Sequence, residues 1–184
     1  SLMWNMGDRI QMEEDNIAVK CRKVVASANE DFLGVYQNMH QMIVKADQDG
    51  FAEYLQQVRK LKTTDKPVKQ TSKNPAIVYQ HAAMIQPTYQ SFVEEISQGV
   101  DGVSTSLPSS LKKMGRIIEK TILKRKDDPG NADKVCDIVR GMVLCNNMSQ
   151  IAQIVECFQS RQDIVTVTRL KDRFFKSPSE GGWR

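Results

Sequence analysis

Four cations at helical spacing are the first residues of this chain that could do chemistry. Lys113, Arg116, Lys120 and Lys124 are three, four and four positions apart, and residues so spaced share one face of an α-helix. If residues 109–124 are helical, these side chains form a cationic column, while Met114, Ile117, Ile118 and Leu123 turn toward a core. Lys112, Arg125 and Lys126 add charge around a single acid, Glu119. Such a column is either a solvated face or a phosphate-binding surface. Like charges stacked along a helix repel unless an anion offsets them, which points toward phosphate.

Two further sets follow. Asp137 opens a β-rich run, residues 138–145, interrupted only by Arg140 and Gly141. A carboxylate at a sheet edge is either a turn residue or, beside a cationic column, a Mg²⁺ ligand, because magnesium in phosphoryl-transfer sites is held by one or two carboxylates and phosphate oxygens. Lys171, Asp172 and Arg173 then lead through Phe174 into Ser177-Pro178-Ser179-Glu180-Gly181-Gly182-Trp183-Arg184. Lysine and arginine supply phosphate contacts, glycines admit a ligand close to the backbone, and tryptophan offers a base a stacking surface. The same stretch also reads as a polar loop anchored by its tryptophan.

These groups need elements to hold them. From about Asp8 to Ala46 apolar residues recur every three or four positions, through Ile10, Ile17, Cys21, Val24, Phe32, Val35 and Met42, which predicts one long amphipathic helix. Asp47-Gln48-Asp49-Gly50 signals a turn, and Phe51 to Leu61 a returning helix. The expectation is a helical hairpin whose members cover each other. Residues 62–73 are polar, contain Pro67 and read as a mobile linker. Asn74-Pro75 is a helix start, and the helix it opens runs to about Gln98 with Pro87 set to kink or split it. Gly99 to Ser106 reads as a loop. Past the basic helix, a strand over 138–145, a helix over 148–158 capped by Asn147 and a strand over 164–170 predict a βαβ unit. The fold class expected is α+β or α/β: a helical hairpin and linker over 1–73, a further helix and loop over 74–106, and a partial βαβ domain over 107–184.

Composition narrows the field without naming a function. The 184 residues are 40% hydrophobic and 26% charged, ordinary for a globular chain. No run approaches the roughly 18 apolar residues of a membrane span, and no secretory signal is read, so a cytoplasmic protein is expected. The formal charge of +4 is too mild to dictate a nucleic-acid partner. Its distribution says more: residues 1–102 hold 11 Lys or Arg against 13 Asp or Glu, residues 103–184 hold 15 against 9. The C-terminal part is therefore the one suited to an anionic ligand. Cys21, Cys136, Cys145 and Cys157 form no C-x-x-C pair, and with only His40 and His81 available no zinc spacing arises. They are expected as reduced, small core hydrophobes.

The order basic helix, Asp137-Ile138-Val139-Arg140, βαβ, then Lys171-Asp172-Arg173-Phe174, Pro178 and Gly182-Trp183-Arg184 resembles the RelA/SpoT synthetase family over residues 107–184. The resemblance implies a nucleotidyltransferase-like fold that transfers pyrophosphate from ATP to the 3′-hydroxyl of GDP or GTP with Mg²⁺. On matching positions, Lys113, Arg116, Lys120 and Lys124 would hold the ATP phosphates. Asp137 would be catalytic and a magnesium ligand, and Lys171 and Asp172 would open the acceptor loop. Trp183, with Arg173 and Arg184, would receive the guanine nucleotide; the family usually has tyrosine where Trp183 stands. The family's second catalytic carboxylate, in a Glu-x-Gln motif, is not in this chain, so this piece alone is expected not to turn over.

A reading from another class stands beside it: a non-catalytic scaffold that oligomerises through its N-terminal helices and presents the basic face to RNA or to an acidic partner. Salt-sensitive RNA binding without ATP–Mg²⁺ binding separates the two.

Overall fold

The computed structural model describes residues 2–64, 66–123 and 130–176, with side chains from residue 16 onward. The chain divides into two units, Asp47–Leu170 and Ser1–Ala46 with Lys171–Arg184. Among the described residues it is a helix-rich α+β protein of five helices and a two-stranded antiparallel sheet.

In the first unit the helix boundaries follow capping chemistry. Helix α2 (Gln48–Lys60) buries Phe51 and Tyr54 and packs on α5 (Met148–Ser160). The N-terminus of α5 is capped twice: Asn147 accepts from the Gln150 N–H at 2.9 Å, and Asp47 accepts from the Met148 N–H at 2.8 Å. These satisfy two donors that the first turn leaves without a helical partner. Helix α3 (Pro75–Gln98) starts as its sequence dictates, with the Asn74 side chain accepting from the Ala76 N–H at 2.9 Å. It stays one helix across Pro87, which lies on its exposed face where water can serve the carbonyl that proline leaves without a donor. Val78 and Ala82 of α3 join Leu111, Ile117, Ala132, Val135 and Ile138 in one buried cluster. Ile77 and Ile85 of α3 are exposed.

Several expectations change here. The basic helix α4 runs over Met114–Leu123, so Lys112 and Lys113 precede it. Leu111 is drawn into the core, and the Lys112 N–H donates to the Ile138 carbonyl at 3.1 Å; the chain satisfies this segment across the fold rather than along a helix. Ile117 is fully buried, but Ile118 is exposed, and the Leu123 side chain lies outside the described ones. The loop over 99–106 ends in a strand, β1 (Ser104–Ser106), paired antiparallel with β2 (Met142–Leu144) in the register Ser104 to Leu144 and Ser106 to Met142. The expected strand over 138–145 is thus only its last part. Residues 164–170 belong to no described ladder; they bond to the earlier chain, with the Thr64 N–H donating to the Val167 carbonyl at 3.0 Å. The predicted βαβ unit is therefore not formed among the described residues.

The described residues of the expected linker, 62–64 and 66–73, carry no regular structure, and several of them bond to the rest of their unit. The Gln70 N–H donates to Asp133 O at 2.6 Å, the Gln70 side chain to Val135 O at 3.0 Å, and the Ala132 N–H to Lys73 O at 2.8 Å.

In the second unit, α1 (Leu2–Ala46) is a single helix, longer at its start than the sequence pattern suggests. Helices α1 and α2, expected as a hairpin, fall in different units, and within its own unit α2 packs on α5. Large apolar residues of α1, including Ile17, Val24, Phe32, Val35 and Met42, are exposed. Near the other end of this unit Asp172 is buried and its Oδ1 accepts from the Phe174 and Phe175 N–H groups, both at 3.1 Å, closing a tight turn.

Candidate functional site

The core positions the charges. Because Ile117 and Ile138 are buried in one cluster, α4 lies against the segment that leads into β2. Lys120, in the last turn of α4, and Lys112, tied through its backbone to Ile138, then reach the same atom from two directions. Lys120 Nζ donates to Asp137 Oδ2 at 2.6 Å and Lys112 Nζ at 2.8 Å. Arg140 is close enough that its charge opposes that of Lys120. One carboxylate thus joins two ammonium groups, with the charge of Arg140 felt at Lys120, and the cluster is net positive.

The three ionised partners differ in their surroundings. Burial alone would raise the Asp137 carboxyl, but the hydrogen bonds from Lys112 and Lys120 hold it down at about 2. Lys112 is pushed below the ordinary lysine value, because its desolvation outweighs the attraction of Asp137 and Lys120 adds repulsion; its side chain is only 8% exposed. Lys120 is pushed above it, chiefly by the hydrogen bond to Asp137. The Asp137 side chain is 52% exposed, so the cluster opens to solvent instead of closing over a cavity.

Of the cationic column expected from sequence, one member takes part. Lys120 meets Asp137. Arg116 instead pairs with Glu119 on the same helix. Lys113 is exposed and contributes its carbonyl, which accepts from the Arg116 and Ile117 N–H groups at 2.9 and 3.3 Å. Lys124 lies outside the described residues. The second ammonium comes from Lys112, which the helical spacing did not nominate. Its signal was the Lys112-Lys113 doublet directly after the apolar Leu111. A non-helical backbone there sends adjacent side chains to different places.

Lys171, Asp172 and Arg173 belong to the other unit, where Lys171 and Arg173 are exposed and Asp172 is buried as the acceptor of its turn. Trp183 and Arg184 lie outside the described residues. The cysteines are all unpaired, as expected, but not core residues: Cys21 and Cys136 are exposed, and Cys145 and Cys157 half-buried. Cys136 packs against the tethered segment, its thiol donating to the Val68 carbonyl at 3.6 Å, and burial pushes its thiol up. His81 Nδ1 is 3.5 Å from the Thr71 hydroxyl.

A separate apolar cavity of about 440 Å³ lies between α3, α5 and the extended segment 165–170, bordered by Phe92, Phe158 and Leu170 with Arg169 beside them. It does not include the Asp137 cluster.

The donor set at Asp137 does not fit a resident magnesium ion. It offers one carboxylate whose Oδ2 is shared by two ammonium groups, in net positive surroundings. Among the described residues no group of three His, Cys, Asp or Glu side chains is placed to hold a metal. What the set does fit is an anion. Two or three cations at a solvent-open rim, with an internal carboxylate as counter-ion, can exchange that carboxylate in part for phosphate oxygens. Among the described residues no helix is long and apolar enough to cross a membrane. No family model matches this chain, and neither a curated protein nor a solved structure matches it.

Proposed function

We propose that the cluster of Lys112, Lys120, Arg140 and Asp137 binds the phosphates of a nucleotide, and that residues 107–184 are part of a RelA/SpoT-like synthetase domain with a nucleotidyltransferase-like fold. The observation that supports this most is that Lys112 and Lys120 meet on Asp137 within the stretch that carries the resemblance. The reaction is transfer of pyrophosphate from ATP to the 3′-hydroxyl of GDP or GTP. The hydroxyl oxygen forms a bond to the β-phosphorus, the α–β bridge breaks, AMP leaves and the hydroxyl proton is released.

In this reading the chain mainly positions and neutralises. Lys112 is held in place by its backbone bond to Ile138 and Lys120 by α4, so both ammonium groups are preorganised and little entropy is lost on binding. Asp137 keeps the two cations from repelling each other before substrate arrives. Lys113 and Arg116, both on the exposed side of the α4 start, are the next cations a triphosphate tail would meet. Magnesium enters as part of the substrate, as Mg²⁺–ATP, with its charge already balanced by phosphate. Lys171 and Arg173 are assigned to the acceptor nucleotide, with Trp183 and Arg184 as stacking and phosphate groups. Asp172 shapes the turn at Arg173, its carboxylate accepting from the Phe174 and Phe175 N–H groups.

Incubating the protein with ATP, GDP or GTP and Mg²⁺ tests the reading. This chain is expected to bind Mg²⁺–ATP without turning it over, and Lys120→Gln weakens that binding; product is expected only where the second carboxylate is also supplied. Correctly folded protein that neither forms product nor binds Mg²⁺–ATP rejects the reading. A second reading, a non-catalytic RNA-binding module, is favoured by the open rim of the cluster, with Asp137 half exposed. Salt-dependent RNA affinity lost in Lys112→Gln and Lys120→Gln, without Mg²⁺–ATP binding, identifies it.

A further inference from the structure

Helix α1 carries an uncovered apolar stripe that runs from Ile17 through Val24, Phe32, Val35 and Met39 to Met42, all exposed. Over these residues the stripe is about 39 Å long at 1.5 Å per residue. An amphipathic helix draws most of its stability from packing that face, so a stripe of this length left exposed among the described residues marks an interaction surface.

The charges beside the stripe say what covers it. Lys20 and Asp31 are about three helical turns apart, so they stand on the same edge of the stripe. The other edge, through Ala18, Val25, Asn29, Tyr36 and Ile43, is uncharged. When two helices pair antiparallel, like edges meet; when they pair parallel, opposite edges meet. Two copies of α1 set antiparallel, with their two-fold axis near Val25 and Ala26, bring Lys20 of each copy beside Asp31 of the other. The same register sets Ile17 within one residue of Val35 and Val24 within one residue of Ala28. A parallel pair faces both charges with the neutral edge and leaves them unpaired. Neither Lys20 nor Asp31 has an ion pair among the described residues, so both are available for this contact.

We infer that α1 is a self-association surface, on which a second copy of this chain docks antiparallel through the Ile17–Met42 stripe with reciprocal Lys20–Asp31 pairs. The inference is independent of the nucleotide reading, which rests on the other unit.

Sedimentation velocity on the full chain, with helicity checked by circular dichroism, tests it through a charge swap. The wild-type chain is expected to dimerise below about 100 μM. Asp31→Lys alone or Lys20→Asp alone turns both reciprocal pairs repulsive and weakens the dimer by about tenfold or more. The combined Lys20→Asp, Asp31→Lys chain recovers the wild-type affinity to within about threefold. Val24→Glu abolishes association. Orientation is read from Cys21. In the antiparallel pair its two copies are about 15 Å apart along the axis, beyond the reach of a disulfide, so mild oxidation forms no Cys21–Cys21 crosslink, as read in a chain with Cys136→Ser. A chain that stays monomeric over this range, a dimer indifferent to Asp31→Lys, or rapid Cys21–Cys21 crosslinking each overturns the inference.

Discussion

Helices α1 and α5 carry apolar stripes of the same period and meet opposite ends. In α5, Ile154 and Val155 are each 8% exposed, covered within a unit that also contains α2 and α3. In α1, Val24 is 68% exposed. The difference does not lie in the stripe. It lies in what the flanking residues can do: Asn147 and Asp47 fix the start of α5 and, through Asp47, join it to the beginning of α2. A helical period therefore announces that a face needs cover, while the short polar contacts at helix ends decide which neighbour supplies it.

That contrast is sharpest at the core. Ile117→Ala removes a fully buried side chain from the cluster shared by α3, α4 and the 132–138 segment. It is expected to cost about 3–4 kcal/mol in chemical denaturation, with loss of the Lys112–Lys120 convergence as α4 loosens. If it costs less than about 1 kcal/mol, as surface substitutions do, the core assignment fails.

The next largest effect falls on the site. Lys120→Gln is expected to weaken Mg²⁺–ATP binding by about tenfold or more, about 1.4 kcal/mol, while Arg116→Gln changes it by less than about threefold because Glu119 already engages that guanidinium. Titration calorimetry at fixed salt separates the two. Equal losses would mean that the helical column, not the Asp137 cluster, holds the phosphates.

Much of this fold can be read from the residues alone, and the failures share one physical cause. Asn74 and Asn147 were legible as caps because capping is local chemistry of a few adjacent residues. The extents of α3 and α5 follow from those caps and from period, whereas α2 starts at Gln48, inside the stretch expected to be a turn. The 138–145 and 164–170 segments were not legible, because apolar or alternating character allows a strand but a ladder needs a partner, and only Met142–Leu144 has one. At the site, Lys120 and Asp137 were both visible in the sequence, but Lys112 was not. It depends on the chain leaving helical geometry before Met114, which is decided by where Leu111 is buried.

Acid should reveal how far Asp137 stabilises its unit. Its carboxyl is held at about 2, below the ordinary 3.8, so it favours the folded state above the unfolded value and loses that contribution as pH falls through about 2. The side chain is half exposed, which limits the effect to about 1 kcal/mol. Wild type and Asp137→Asn, compared by urea unfolding, should differ by this amount at pH 7 and converge near pH 2. A difference that persists at pH 2 would trace the loss to packing rather than charge.

The smallest effect returns to the uncovered stripe. Val24→Ala should change the stability of the dilute, monomeric chain by less than about 0.5 kcal/mol, since the valine already faces water and alanine is the better helix former. Ile154→Ala, the matching truncation in α5, should cost about 2 kcal/mol or more at every concentration. On raising the protein concentration the two should diverge further: wild-type α1 gains stability by mass action as copies associate, and Val24→Ala gains less. A Val24→Ala deficit already present at the lowest concentration would show that α1 is covered within a single chain, and the comparison between the two helices would lose its basis.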